Sequence, residues 1–186
     1  VMYMGNTRTD FRQGHTPLRA ITGGYDAEYG PMIETEWYFF RLMGLVKPED
    51  VDAVLHLDYK RGPTVGLEID YERENYTGYA KLWGMYDTED SDEFGQENKQ
   101  REEEDIRGRV LARHKQFMPR DWQMQFEVSY LSDRNYLRKY FPDEFYAGKD
   151  QETLVYARKQ RDNWAVDVLL KAKINNFLTQ TWAAPD

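Results

Sequence analysis

Apolar and polar residues alternate with a period of two along much of this chain, and that period constrains the fold more than any other feature. Trp122–Tyr130 carries Trp, Met, Phe, Val and Tyr at its even positions, with Gln, Gln, Glu and Ser between them. Ala53–Tyr59, Val65–Arg73 and Trp164–Ile174 alternate in the same way. Successive side chains of a β-strand point to opposite faces of its sheet. The pattern therefore predicts long antiparallel strands with one apolar and one polar face.

Weaker alternations fill the intervals between these runs and bring the expected total to about nine strands. The predicted strands are Leu18–Ala27, Met32–Leu42, Ala53–Tyr59, Val65–Arg73, Thr77–Tyr86, Ile106–His114, Trp122–Tyr130, Thr153–Lys159 and Trp164–Ile174. Most connections are tight turns, but an acidic segment over Asp87–Glu104 and a second segment over Ser132–Asp150 are long. We expect both long segments to leave from one side of the sheet, and the second to hold a short helical turn over Tyr136–Phe141. Long loops on one side and short turns on the other are typical of membrane β-barrels.

Composition excludes several functional classes. The formal charge is −8, whereas binding to nucleic acid needs a basic patch, so we expect no nucleic-acid partner. The sequence contains no cysteine, which excludes disulfides, thiolate catalysis and Cys-rich zinc sites. No apolar run approaches the roughly 20 residues that a membrane-spanning helix needs. A β-barrel escapes that test, because its strands alternate lipid-facing and lumen-facing residues and so have a polar average.

Charged and polar side chains recur on the non-apolar face of the predicted strands, and we interpret them as lining a water-filled lumen. These residues are His56, Asp58, Lys60, Glu68, Asp70, Glu72, Glu127, Asp167 and Lys171. Neither a metal site nor a phosphate-binding loop is predicted, because the histidines are far apart in sequence and no helical pattern follows the glycines. We therefore expect no catalytic residue, no cofactor and no metal.

The order and spacing of several short motifs make Pro17–Phe177 resemble the early barrel strands of the lipopolysaccharide-assembly outer-membrane proteins, the LptD family (also called OstA or Imp). The motifs are Leu55-x-Leu57-Asp58-Tyr59 with Arg61-Gly62, Gly66-x-Glu68-x-Asp70-Tyr71, Arg109-x-x-x-Arg113-His114, Trp122-x-Met124-x-Phe126-x-Val128-x-Tyr130 and Ser132-Asp133-x-x-Tyr136-Leu137. The resemblance implies a transport protein of the cell outer membrane that is not an enzyme. It implies lipopolysaccharide or a related glycolipid as cargo, outer-membrane lipids around the barrel, a lipoprotein plug and periplasmic lipopolysaccharide-transport components.

In this family, prolines near the first strands weaken strand pairing where the barrel opens sideways. Pro17 and Pro31 stand at the starts of the first two predicted strands and are candidates for that role, since proline donates no hydrogen bond to the ladder. Equally, they fit ordinary strand-start or turn prolines. The family's periplasmic jelly-roll domain and closing barrel strands are absent from the sequence. We therefore interpret residues 1–186 as a single region, the N-terminal portion of a barrel in a longer protein.

Two other functions fit the alternating strands. One is a soluble β-sandwich that binds glycans or lipids and turns its apolar face inward. The other is a glycoside-processing enzyme built on Glu68, Asp70 or Glu72, which stand about 7 Å apart on one strand face. Paired carboxylates at such distances can hydrolyse glycosides. Neither alternative accounts for the one-sided long loops.

Overall fold

The computed structural model describes residues 7–11, 15–26, 30–88, 91–93, 99–101, 105–148 and 150–177. The strands in these ranges are β1 (Thr7–Asp10), β2 (Leu18–Asp26), β3 (Gly30–Tyr38), β4 (Val51–Tyr59), β5 (Pro63–Arg73), β6 (Tyr76–Tyr86), β7 (Ser91–Glu93), β8 (Lys99–Arg101), β9 (Ile106–Met118), β10 (Trp122–Leu131), β11 (Thr153–Arg161) and β12 (Trp164–Ala172). Short helices follow β3 and β10: α1 (Phe39–Leu42), α2 (Tyr136–Tyr140) and α3 (Pro142–Tyr146).

Ten of these strands form one sheet in the order β1-β2-β3-β4-β5-β6-β9-β10-β11-β12, while β7 and β8 form a separate pair. Every strand of the large sheet thus neighbours the strand before and after it in the chain, apart from the β7–β8 insertion. The predicted all-β antiparallel meander is therefore confirmed. No helix in the described ranges is both long enough and apolar enough to cross a membrane.

The structure differs from the expectation in two details. The sheet has ten strands rather than about nine, because β1 pairs with β2 although its four residues, Thr-Arg-Thr-Asp, do not alternate. Backbone pairing with β2 and a 2.6 Å ion pair between Arg8 and Glu36 of β3 join this short strand to the sheet. The second predicted strand ends early, since its last four residues form α1. The expected helical turn in the second long segment is present as α2.

The described residues fall into two compact units. The first unit comprises the described residues up to Ile69 and those of 82–108. It holds β1 to β4, most of β5 and the second half of β6. The second unit comprises Asp70–Lys81 and the described residues from Arg109 onward. It holds the β5–β6 turn with the adjoining strand ends, most of β9, β10 to β12, α2 and α3.

The core of the second unit lies on one face of its strands, under the segment that follows β10. Leu111 and Leu131 of the sheet are buried, as are Tyr136 and Leu137 of α2. The side chain of Asp133 fixes the entry to this segment, because its Oδ1 accepts the backbone N–H groups of Asn135 and Tyr136 at 2.9 and 2.7 Å. The helices therefore cover the face of the strands that carries Leu111 and Leu131.

Candidate functional site

Adjacent residues of β10 show which face of the second unit is covered. Val128 and Tyr130 are 42% and 47% exposed, whereas Ser129 and Leu131, on the opposite face, are 1% and 3% exposed. The register pairs Ser129 with Leu111 and Leu131 with Arg109. Both partners are buried. At the Val128–Leu131 end of β10, the face that carries Val128 and Tyr130 is thus the uncovered one, and the face that carries Ser129 and Leu131 is the covered one.

The first unit has the same arrangement. Leu57, Tyr59 and Val65 stand on the apolar face of β4 and β5 and are 43%, 52% and 54% exposed. His56 and Asp58, which alternate with Leu57, are half-buried. Soluble proteins bury the apolar face of a sheet and leave the polar face in water. In these stretches both units reverse that preference, because large apolar side chains are exposed there while the neighbouring polar ones are half-buried or buried.

A buried charge cluster stands on the covered face of the first unit. The carboxylate of Asp87 contacts Arg61 Nε at 3.2 Å and Arg107 Nη1 at 2.9 Å, and all three side chains are almost fully buried. Next to Arg61, Gly62 lies so close to the carbonyl oxygen of Tyr86 that a Cβ at this position would overlap it. Buried charges in proteins are paired in this way because an isolated one is strongly unfavourable.

A pocket of about 460 Å³ opens on the covered face of the second unit. Its walls come from the end of β5, from β6, from β9, from α3 and from the segment between α3 and β11. They are formed by Asp70, Tyr79, Lys81, Leu111, Arg113, Glu144, Ala147 and Gln151. Small-molecule sites typically have volumes of about 300–1,000 Å³ and hold a few polar groups in fixed positions. The pocket has the size of such a site, and several charged and polar side chains stand in its walls.

Ion pairs hold the charged walls of this pocket in place. Glu144 on α3 accepts a hydrogen bond from Arg109 Nη2 at 2.7 Å and lies 3.5 Å from Lys81 Nζ. Arg113 contacts the carboxylate of Glu127 at 3.0 Å. Its guanidinium carbon also lies 5.4 Å from the centre of the Tyr79 ring. Asp70 differs from these side chains, because it is exposed and has no ion-pair or hydrogen-bond partner among the described residues.

Aromatic residues open the second strand of three hairpins in the second unit. Tyr76, Trp122 and Trp164 each follow a tight turn directly, and we call these three residues the aromatic belt. Lys159 Nζ lies 5.4 Å from the ring centre of Trp122 and 5.7 Å from that of Trp164. His114 lies 6.0 Å from the Tyr76 ring centre and accepts or donates a hydrogen bond with the Tyr71 hydroxyl at 2.9 Å. The belt stands on the uncovered face at the short-turn end of these hairpins.

In the first unit, the polar-face residues predicted from the sequence have nearby partners. His56 pairs in register with Glu36, and its ring centre lies 4.6 Å from that of Trp83. Asp58 accepts the backbone N–H of Thr35 at 2.8 Å. Lys60 Nζ lies 3.7 Å from the carboxylate of Glu34, and Glu68 is half-buried in β5.

The predicted residues of the second unit are dispersed. Asp70 lines the pocket, and Glu127 is one ion pair away from it through Arg113. Glu72 is exposed near the end of β5. Asp167 accepts a hydrogen bond from the Tyr156 hydroxyl at 2.7 Å, and Lys171 pairs with Glu152 at 2.7 Å. Of the three carboxylates considered for glycoside hydrolysis, Asp70 lines the pocket, Glu72 does not, and Glu68 belongs to the first unit.

The two prolines considered for a lateral opening occupy different positions. Pro17 precedes β2, and its carbonyl oxygen accepts the backbone N–H of Tyr38 at 2.8 Å. Pro31 is the second residue of β3 and stands opposite Tyr25 of β2. Pro17 therefore contributes one hydrogen bond to the β2–β3 pairing, and the gate role of both prolines stays a prediction.

Several pocket residues had no signal of their own in the sequence. Glu144 and Gln151 lie in the second long segment, where no strand period places a side chain on a face. Lys81 lies in a strand whose apolar residues occur on both faces, so its direction was ambiguous. The sequence offered one indirect signal. A long segment rich in aromatic and charged residues is often folded onto its own sheet.

Within the described ranges, no group of three or more His, Asp or Glu side chains is arranged to hold a metal ion. The sequence matches no protein-family model, and it matches no curated protein.

Proposed function

We propose that this chain is a segment of an antiparallel β-barrel in a bacterial outer membrane, from a protein that inserts lipopolysaccharide or a related glycolipid into the outer leaflet. The observation that carries the membrane part is the reversed exposure of the two faces. Val128 and Tyr130 are exposed while Ser129 and Leu131 are covered, and Leu57 is exposed while Asp58 is half-buried. Lipid favours an apolar outer face, and a water-filled lumen accommodates a charged inner one.

The aromatic belt supports the same proposal. Aromatic side chains are enriched at the two membrane–water interfaces, where their rings lie at the level of the lipid headgroups. Tyr76, Trp122 and Trp164 occur at one end of their hairpins, on the same face as the exposed aliphatic residues. Lys159, between the two tryptophans, suits this level because lysine extends its ammonium group toward lipid phosphates.

The lipopolysaccharide part of the proposal rests on the resemblance to the LptD family. Several residues of the shared motifs make specific contacts: Arg61 with Asp87, Arg109 with Glu144, His114 with Tyr71 and Asp133 with the start of α2. These contacts give physical reasons for those residue types at those spacings. A lipoprotein plug and periplasmic transport components would be the protein partners, and no catalytic step belongs to the proposal.

Site-directed spin labelling tests the assignment of the two faces. The chain contains no cysteine, so Val166→Cys, Asp167→Cys and Val168→Cys each provide a single labelling site on the exposed strand β12. In lipid vesicles, we expect labels at 166 and 168 to collide with oxygen, which concentrates in lipid, and the label at 167 to collide with a water-soluble nickel chelate. Equal access of the nickel chelate to all three labels would contradict a lipid-facing strand.

Refolding and depletion test the remaining parts. The natural gene product that contains this chain is expected to refold in detergent micelles and not in plain buffer, with a heat-dependent shift in gel mobility. Folding in buffer alone would instead favour a soluble β-domain.

Depletion of the gene product in cells is expected to lower the amount of lipopolysaccharide that an antibody detects on intact cells. Unchanged surface lipopolysaccharide would contradict the proposed cargo.

A further inference from the structure

The pocket on the covered face of the second unit combines opposite charges in equal number. Two carboxylates, Asp70 and Glu144, and two cations, Lys81 and Arg113, line a volume of about 460 Å³. Their formal charges cancel, so the lining as a whole attracts neither anions nor cations. A charged ligand would meet two groups of its own sign, and like charges at short range are unfavourable.

The lining does offer many hydrogen-bonding groups in fixed positions. Glu144 is held by Arg109 and Lys81, at 2.7 and 3.5 Å, and Arg113 is held by Glu127 at 3.0 Å. Tyr79 adds a phenol group, and the buried Gln151 accepts a hydrogen bond from the Ser129 hydroxyl at 2.8 Å. Side chains that are already fixed by partners lose little conformational entropy when a ligand binds.

Asp70 is a wall residue with spare hydrogen-bonding capacity. It is exposed, and it has no ion-pair or hydrogen-bond partner among the described residues. An ionised carboxylate is an acceptor only, with about four lone-pair sites. The ligand group that satisfies it must donate a hydrogen bond, and it must not carry the negative charge that Asp70 and Glu144 would repel.

We infer that this pocket binds a neutral saccharide. A sugar hydroxyl both donates and accepts, so one hydroxyl can donate to Asp70 while its neighbour accepts from Lys81 or Arg113. A volume of about 460 Å³ is within the range of pockets for small organic ligands. The inference rests on the proposed function for the source of the saccharide, which is the glycan of the transported glycolipid. It assigns the contact with that glycan to the side chains of this pocket.

The segment that carries Glu144 forms one wall, so the pocket depends on how α3 is held. The Arg109 side chain is fully buried, and its guanidinium carbon lies 4.3 Å from the centre of the Phe141 ring. Arg109 thus fixes α3 through a carboxylate and an aromatic ring. Because this wall is part of the folded second unit, the binding site is formed before a ligand arrives.

Binding of defined sugars to the detergent-purified gene product tests the inference. Saturation-transfer difference NMR would be recorded with maltose, cellobiose and N,N′-diacetylchitobiose, and with glucose 6-phosphate and glucosamine as charged comparators. A detergent without a sugar headgroup, such as an alkylamine oxide, avoids competition. We expect at least one neutral disaccharide to bind more tightly than both charged sugars. Failure of all three disaccharides to bind, or tighter binding of the phosphate sugar, would overturn the inference.

Two matched variants locate the site. Asp70→Asn keeps the size of the side chain and removes its charge, and we expect it to weaken disaccharide binding about tenfold or more, because hydrogen bonds to charged groups are the stronger class. Asp167→Asn makes the same change outside the pocket and is expected to leave binding unchanged. Equal affinities of both variants and the parent protein would show that the pocket is not the site.

The same samples separate this inference from the proposed function. Heat-modifiable folding in detergent tests the membrane barrel, whereas sugar binding tests the pocket. Heat-modifiable protein that binds no disaccharide overturns the pocket inference alone. Protein that folds in plain buffer contradicts the barrel, and the binding experiment then proceeds without detergent with the same expected and contrary results.

Discussion

Arg109 and Glu144 are joined by a 2.7 Å hydrogen bond in which the guanidinium is fully buried and the carboxylate is about one-third exposed. The pair connects β9 to α3 across 35 residues of sequence. Nε and Nη1 of Arg109 have no hydrogen-bond partner among the described residues. Glu144 and the Phe141 ring are therefore the groups that compensate the buried charge.

Removal of the carboxylate is expected to destabilise the second unit. Breaking a fully buried ion pair costs about 3–5 kcal/mol, and the partial exposure of Glu144 lowers the expectation for Glu144→Ala to about 2–3 kcal/mol. The free energy of unfolding, from urea titration monitored by tryptophan fluorescence, measures the effect. Asp143→Ala, an exposed neighbour on α3, serves as the control and is expected to change stability by less than about 0.5 kcal/mol. Equal effects of the two variants would contradict a structural role for the pair.

Asp87 is expected to be among the most sensitive carboxylates of the first unit. Asp87→Ala removes the carboxylate that two buried guanidinium groups, those of Arg61 and Arg107, share as their counter-charge. We expect a loss of about 3–5 kcal/mol in the free energy of unfolding. Asp52→Ala breaks an exposed ion pair with Lys47 of 2.9 Å and is expected to cost at most about 1 kcal/mol. Comparable losses in both variants would be inconsistent with the buried cluster.

Gly62 is expected to tolerate no side chain. A Cβ at this position would overlap the carbonyl oxygen of Tyr86, whereas a Cβ at Gly84 would meet nothing within 4 Å. Overpacking of this kind typically costs about 1–3 kcal/mol, so Gly62→Ala should lower the unfolding free energy by that amount. Gly84→Ala should leave it unchanged or raise it slightly, because alanine restricts the unfolded chain. Unfolding curves of the two variants, measured side by side, test this expected difference in stability.

Val168 and Asp70 are both exposed, yet a membrane environment would distinguish them. In lipid vesicles, Val168→Arg is expected to cost about 2–4 kcal/mol if Val168 lies near the bilayer midplane, and Asp70→Asn to cost little. In a soluble domain, arginine at an exposed position would be harmless. Stability measured by denaturant titration in vesicles tests the difference, and equal sensitivity at the two positions would refute the assignment of faces.

The strands could be predicted from the sequence because alternation is a property of neighbouring residues. Val128 and Ser129 differ in polarity, and the structure places them on opposite faces with opposite exposure. The direction of each face relative to the core could not be derived in that way. A period of two separates two faces but does not state which of them is covered.

The pocket and the buried cluster lay beyond the reach of periodicity for a different reason. Asp87 begins an acidic segment that looks solvated in the sequence, and its burial depends on Arg61 and Arg107, which are distant in the chain. Glu144 faces the pocket because Arg109 binds it. Such positions depend on tertiary pairing between residues far apart in sequence, and the remainder of the acidic segment lies largely outside the described residues.

The meander has a consequence for how such a chain assembles. Each strand of the large sheet is bonded to its neighbour along the chain, so every new strand can add to an edge that already exists. The entropy lost on closing a loop grows only slowly with its length, and even the insertions between β6 and β9 and between β10 and β11 require only moderate closures. Strand pairing can therefore advance hairpin by hairpin in the order of synthesis, with each completed hairpin acting as the template for the next.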